Sequence, residues 1–195
     1  MIIRRHLAPS CARCCGERRH GAADDRRHGR EMTLSAPVPL AASHDLADFD
    51  CGEPALDDWL KQRALKNESR FSRTYVVCDD NRVVAYFCVS AGAVEREAAP
   101  GRVRRNAPDM IPISVIGRLA VSKAYAGRGL GADILSDALR RIAIASQSIG
   151  IGAVLVQAKD ENAKRFYLAC AEFIEYPADS RTLFLPIETV IAAFS

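Results

Sequence analysis

The chain has 195 residues, 49% of them apolar and 26% charged, with a net charge of +3. That length suits one α/β domain with a substantial core and is short for two, and the composition is that of an ordinary globular protein, excluding a fibrous or wholly disordered chain. No stretch approaches the ~18 consecutive apolar residues of a membrane span, and the N-terminus lacks the apolar centre of a secretory signal, so a cytoplasmic protein with no membrane partner is expected.

The charge is unevenly placed. Residues 1–32 hold eight arginines against Glu17, Asp24, Asp25 and Glu31, whereas the remainder holds 19 basic and 20 acidic side chains. Between Ile3 and Met32 the only large aliphatic residue is Leu7. Such a segment buries too little apolar surface to offset its ordering entropy, which predicts a disordered basic extension or a stretch ahead of a start at Met32. Cys11, Cys14, Cys15 and His20 are zinc-ligand types, but no second ligand pair follows at finger spacing, and no metal is expected. The cysteines number seven, an odd count, and Cys78, Cys88 and Cys170 lie inside apolar runs, which points to free thiols in a reducing compartment. The folded domain is therefore expected over residues 33–195.

Asp50-Cys51-Gly52-Glu53-Pro54 is turn chemistry, with Asp50 or Glu53 as a candidate cap. Leu56, Trp59, Leu60, Ala64 and Leu65 recur at helical spacing and predict a helix over 54–67. Strands are expected at 74–78 and 82–94 about a turn at 79–81, followed by a polar loop over 95–110 and a buried strand at 113–121. A glycine loop at 127–131 leads into a helix reaching about residue 148. A short buried strand at 153–158, a helix at 161–171 and a closing strand at 181–187 complete the order. An early meander followed by a β-α-β unit predicts an α/β fold of α+β type, with one mixed, mainly antiparallel sheet flanked by helices.

A strand, a tight glycine loop and a helix start make an arrangement that binds phosphate, because the first helical N–H groups are unpaired and carry partial positive charge. Gly131 is followed by Ala132 and Asp133, not by the Lys-Ser/Thr of a nucleotide P-loop, and the spacing is not that of a dinucleotide fingerprint. Taken alone, the loop also reads as a tight strand-to-helix connection.

Ile116-Gly117-Arg118-Leu119-Ala120-Val121 followed by Tyr125-Ala126-Gly127-Arg128-Gly129-Leu130-Gly131 resembles the signature of GNAT acetyltransferases over roughly residues 37–190. The resemblance implies a GNAT fold with acetyl-CoA as acetyl donor. It assigns Ala126, Gly127, Arg128, Gly129, Leu130, Gly131 and Ala132 to the pyrophosphate. Leu119, Ala120 and Val121 fall to the pantetheine arm, and Asn162 also to the cofactor. Ala126 stands where the family has Gln or Arg, which implies weaker or differently anchored cofactor and not loss of binding. Phe49 to Glu53, Leu56, Trp59-Leu60, Arg63-Ala64, Arg73 to Val77 and Gly117 to Val121 are similar, more narrowly, to the GNAT toxins of bacterial toxin–antitoxin pairs. This implies aminoacyl-tRNA as substrate, a ribbon-helix-helix antitoxin as partner, and a homodimer.

Acetyl transfer needs a neutral amine, a polarised carbonyl and a proton for the departing thiolate. After residue 32 the only histidine is His44, so a Ser- or Cys-His nucleophile has little support and direct transfer is simpler. Tyr167 matches the family's catalytic tyrosine, and a phenol can supply that proton; a core tyrosine on an amphipathic helix is the alternative. A backbone N–H of 119–121 would meet the carbonyl oxygen. No carboxylate stands out as a base, which favours an α-amine (pKa ~7.7–8.0) over a lysine (~10.4). Lys61, Arg63, Lys66, Arg70 and Arg73 form one basic cluster and Arg104 and Arg105 belong to another; both are candidates for RNA, beside the reading as solvated surface. Arg118, in an otherwise apolar strand, either pairs with an acid or faces cofactor or substrate. Rival functions are a GNAT enzyme for a small amine or a protein N-terminus, and a non-catalytic acyl-CoA-binding module.

Overall fold

The protein is described by a computed structural model over residues 34–176 and 178–195; the readings placed on residues 1–32, the zinc-type cluster among them, lie outside the described residues. In chain order the elements are β1 (Val38–Pro39), α1 (Pro54–Gln62), α2 (Ala64–Glu68), β2 (Arg73–Asp79), β3 (Arg82–Glu95), α3 (Gly101–Arg104), β4 (Met110–Val121), α4 (Leu130–Ala145), β5 (Ala153–Gln157), α5 (Glu161–Cys170), β6 (Ile174–Tyr176), β7 (Asp179–Pro186) and α6 (Ile187–Phe194). The strands form one seven-stranded sheet in the order β1-β2-β3-β4-β5-β7-β6. Every neighbouring pair is antiparallel except β4–β5, so the expected mixed, mainly antiparallel sheet is present.

Each face of the sheet carries its own core. Ile134, Leu135, Ala138, Leu139 and Ile142 repeat at three- and four-residue spacing along α4, the spacing that puts side chains on one helical face. That face packs on Val77, Phe87, Ile116, Val154, Val156, Leu183 and Leu185. Each such aliphatic side chain contributes about 1.5–3 kcal/mol on burial. On the other face, Trp59 and Leu60 of α1 cover Val76, Tyr86, Cys88 and Ala120. A third cluster on this second face joins Val103, Ile111, Ile113, Ala153 and Phe184. Cys51, Cys78, Cys88 and Cys170 are free thiols, and among the described residues no helix is long and apolar enough to cross a membrane.

Several elements depart from the sequence expectation. The helix over 54–67 is two helices, broken where Arg63 takes φ −120 and ψ −28. Glu53 occupies the cap position without a side-chain cap bond; instead Asp57 Oδ1 reaches back to accept the Cys51 N–H at 3.0 Å. The segment over 95–110 contains a 3-10 turn and the short α3. The strand placed at 181–187 begins at Asp179 and ends at Pro186, where α6 takes over.

Candidate active site

The parallel ladder between β4 and β5 is short. It pairs Ile113–Ile116 with Ala153–Val156 and ends there. β4 runs on to Val121, held only on its other side, where Arg118–Val121 pair with Cys88–Ala85. β5 turns instead with β7, Gln157 opposite Thr182. The two halves of the sheet therefore diverge, leaving the β5-facing main chain of Leu119, Ala120 and Val121 without a strand partner.

A β-bulge marks the divergence. Ile116 pairs with Val89 and Arg118 with Cys88, so Gly117 is the extra residue. A bulge adds one residue and reverses which face the following side chains take. Ile116 belongs to the α4-face core; beyond the bulge Leu119 and Val121 return to that face while Ala120 joins the Trp59 cluster. Arg118 goes with Ala120, its guanidinium 4.3 Å above the Trp59 ring.

The glycine loop lies beyond the end of β4. Gly127 (φ 75) and Gly129 (φ 87) occupy the left-handed region that favours glycine. Nothing lies within 4 Å of a side chain built at either position, so the space over the loop is open. Gly129 is the N-cap of α4, a 16-residue helix. The N–H groups of Ala132 and Asp133 bond the Gly129 carbonyl, while among the described residues those of Leu130 and Gly131 have no acceptor. This is the positive end of a long helix with free donors, fitted to a pyrophosphate. Ala126 and Arg128 are exposed beside it, and Arg128 lies 5.7 Å from the ring of Tyr125. A side chain at Gly131 would meet the Phe166 ring at 3.4 Å and Val121 at 3.9 Å, which places the loop, the free strand edge and α5 side by side.

α5 is capped by Asp160, whose Oδ1 accepts the Ala163 N–H at 2.8 Å. Asn162 is exposed in its first turn and accepts from Arg165. Tyr167 is 7% exposed, set edge-on to Phe166 at 5.3 Å and Phe173 at 5.7 Å. Burial pushes its pKa to about 12, with the Cys170 and Cys88 thiols adding to the rise. The phenol thus stays protonated, on the helix that borders the cleft through Phe166. Lys159, between β5 and α5, reaches across to Glu53 at the start of α1 with a 2.5 Å ion pair that raises its pKa. The sequence offered Glu53 only as a cap and in the toxin-like motif, and did not single out Lys159, since their meeting depends on how the two sheet halves are set against each other.

The basic candidates separate. Lys61, Arg63, Lys66, Arg70 and Arg73 are all exposed along α1, α2 and the entry to β2. Arg73 also bonds the Glu68 carbonyl. Arg104 and Arg105 line a cavity of about 500 Å³ with Arg96, Glu97 and Gly101, next to the start of β4. At ~3.3 Å per residue the run from Met110 to Leu119 is roughly 30 Å, so the structure does not bring this cluster to the cleft. A second cavity, of about 280 Å³, is lined by Arg73, Tyr75, Val89, Gly92, Pro112 and Arg141 among others; it takes in Arg73 of the basic candidates but none of the glycine loop, Leu119–Val121 or Tyr167.

The acetyltransferase (GNAT) family model matches residues 40–173. Among curated proteins, the tRNA-acetylating toxin of Mycobacterium tuberculosis is 45% identical over 135 residues, 69% of this chain and 81% of that protein. Among solved structures, AtaT complexed with acetyl-methionyl-tRNAfMet superposes with a TM-score of 0.76 at 28% identity, covering 84% of this chain and 100% of that one. A mutant AtaT toxin, bound to the C-terminus of the antitoxin AtaR and acetyl-CoA, gives 0.72 at 28% identity over 83% and 98%.

Proposed function

The chain belongs to the GNAT acetyltransferase family and is an acetyl-CoA-dependent N-acetyltransferase, and from that premise we propose that its acceptor is the α-amine of aminoacyl-tRNA, so that it blocks translation as the toxin of a toxin–antitoxin pair. The observation that carries the chemistry is the free edge of β4 at Leu119–Val121, flanked by the glycine loop and by Phe166 of α5, the helix that also carries Tyr167. The acceptor rests on the 45% identity to a tRNA-acetylating toxin and the likeness to AtaT in complex with acetyl-methionyl-tRNA.

In this reading the N–H groups of Leu130 and Gly131, with Gly127, Arg128, Gly129 and Ala132 around them and Ala126 at the edge, hold the donor's pyrophosphate. Leu119, Ala120 and Val121 pair with its neutral arm as an added strand would, and Asn162 lies at its flank. Acetyl-CoA supplies a thioester carbonyl as electrophile and a thiol as leaving group. A main-chain N–H of the Leu119–Val121 edge faces the carbonyl oxygen, where charge develops. Tyr167 holds a proton for the sulfur. No carboxylate need act as base, because an α-amine of pKa ~7.7–8.0 is partly neutral near pH 7.5. The exposed run Lys61, Arg63, Lys66, Arg70 and Arg73 attracts the RNA backbone, and Arg104 and Arg105 touch it farther from the cleft.

The catalytic domain is taken as residues 33–195, in the cytoplasm. We further infer an antitoxin partner, supported by the AtaT structure that holds the C-terminus of AtaR, and, from the resemblance to the toxins alone, its ribbon-helix-helix type and a homodimer as the assembly. The test is transfer from labelled acetyl-CoA to a pool of charged tRNA by the intact protein and by Tyr167→Phe. Label on the aminoacyl group, reduced about 10²–10⁴-fold in kcat by the substitution, supports both acceptor and tyrosine. Binding of acetyl-CoA with no labelled tRNA refutes the acceptor and directs attention to small amines and protein N-termini.

A further inference from the structure

Arg118 is a half-buried cation at the bulge where β4 parts from β5. Its guanidinium stacks on Trp59, and its charge bears on the nearby Cys88 thiol. Among the described residues no carboxylate forms an ion pair with it. Arg141 shows how the same fold settles a guanidinium that has a structural task. It too stacks on an aromatic ring, Tyr75 at 3.9 Å, but it also pairs with Asp137 at 2.5 Å and donates to the Pro37 carbonyl at 2.9 Å. Removing a charge from water without an opposite charge is costly. Arg118 bears that cost beside the reacting strand, immediately before Leu119.

The side on which it stands identifies the anion it lacks. α4, which the glycine loop leads into, and Tyr167 belong to the α4 face of the sheet, so in the proposed reading the phosphates of the donor are met there. Arg118 points to the opposite face, toward α1, because the Gly117 bulge reverses the alternation. With donor and proton source on the α4 face, the acceptor reaches the free β4 edge from the α1 face. A planar, weakly hydrated guanidinium braced on a ring is suited to gripping a phosphate through two parallel N–H donors. We propose that Arg118 binds the phosphate of the acceptor's terminal nucleotide, and so sets the aminoacyl group against the Leu119–Val121 edge. This assignment rests on aminoacyl-tRNA being the acceptor.

Two acceptors test it: charged tRNA, and an aminoacyl-adenosine of the same amino acid without the 5′-phosphate. Each is assayed with the intact protein, Arg118→Gln and Arg118→Lys, with acetyl-CoA affinity measured in parallel. For charged tRNA, Arg118→Gln is expected to raise KM about 10–100-fold with little change in kcat, and Arg118→Lys to recover part of it. For aminoacyl-adenosine, intact protein and variants should agree within about threefold, because the phosphate is absent. Equal losses on both acceptors, or a matching loss of acetyl-CoA affinity, would mean that Arg118 only props Trp59, and the proposal fails. No loss on charged tRNA also overturns it. If the intact protein labels neither acceptor while binding acetyl-CoA, the acceptor reading itself is refuted, a result distinct from any variant's behaviour.

Discussion

The Tyr167 hydroxyl is enclosed by Phe166, Phe173 and the rest of the α4-face core, and its pKa of about 12 follows from that enclosure. Burial penalises the phenolate, so the neutral form persists well above the usual ~10. Two outcomes follow at this scale. The pH profile of kcat/KM should rise through the acceptor amine near pH ~7.7–8.0 and show no falling limb from Tyr167 up to about pH 10, as steady-state rates across that range would reveal. Stability should also respond. A group whose pKa is raised by folding contributes stability that is intact below about pH 10 and is lost as pH climbs toward 12. Tyr86, buried with its hydroxyl on the Leu56 carbonyl at 2.9 Å, is raised in the same direction and adds to the loss. Burial raises the Cys51, Cys78, Cys88 and Cys170 thiols as well, so urea midpoints should be flat only to about pH 8, begin to fall near pH 9 and fall more steeply above about pH 10. Ala126 offers a third outcome, since it is exposed beside the glycine loop. Ala126→Arg should lower the acetyl-CoA Kd severalfold in dilute salt, with the gain shrinking as salt screens it, by calorimetry at two ionic strengths.

Gly129 caps α4 at φ 87, a conformation that costs an alanine roughly 1–2 kcal/mol. Gly129→Ala should lower stability by about that amount and weaken acetyl-CoA at least tenfold, since the donors of Leu130 and Gly131 would swing from their aim. Denaturant titration and calorimetry check the two halves separately. Elements of this kind were legible before the structure. The stripe Ile134, Leu135, Ala138, Leu139 and Ile142, and the glycines before it, announce both helix and loop. α6 was not legible, because Leu183 to Ala193 is apolar with little break and periodicity needs contrast. Pro186, lacking an N–H, is what ends β7 there. The break at Arg63 was hidden by a residue that suits helices well. The direction of Arg118 was hidden for a different reason. Alternation along 113–121 would aim it at α4, and only a bulge at Gly117 turns it to Trp59. A glycine inside an apolar strand was the available signal.

For the molecule as a whole, two half-sheets meet along the four-residue ladder of β4 and β5 and then separate. α4 and α5 bridge them on one face through Gly131 and Phe166, and on the other the Lys159–Glu53 ion pair spans the gap. With side chains 52% and 38% exposed, that pair contributes under ~1 kcal/mol and yields easily to an incoming acceptor. The free edge of β4 has a metabolic consequence. In the proposed reading, main-chain groups at Leu119–Val121 and the donors of α4 would grip parts of the carrier that remain after the acetyl group has left. The protein would then hold spent carrier almost as firmly as loaded carrier. Free CoA should inhibit competitively against acetyl-CoA, with a Ki within about tenfold of the acetyl-CoA Kd, as initial rates at several CoA concentrations would show. Growth arrest by such an enzyme would then track the cell's ratio of acetylated to free carrier, strongest when carbon is plentiful and fading as the pool runs down.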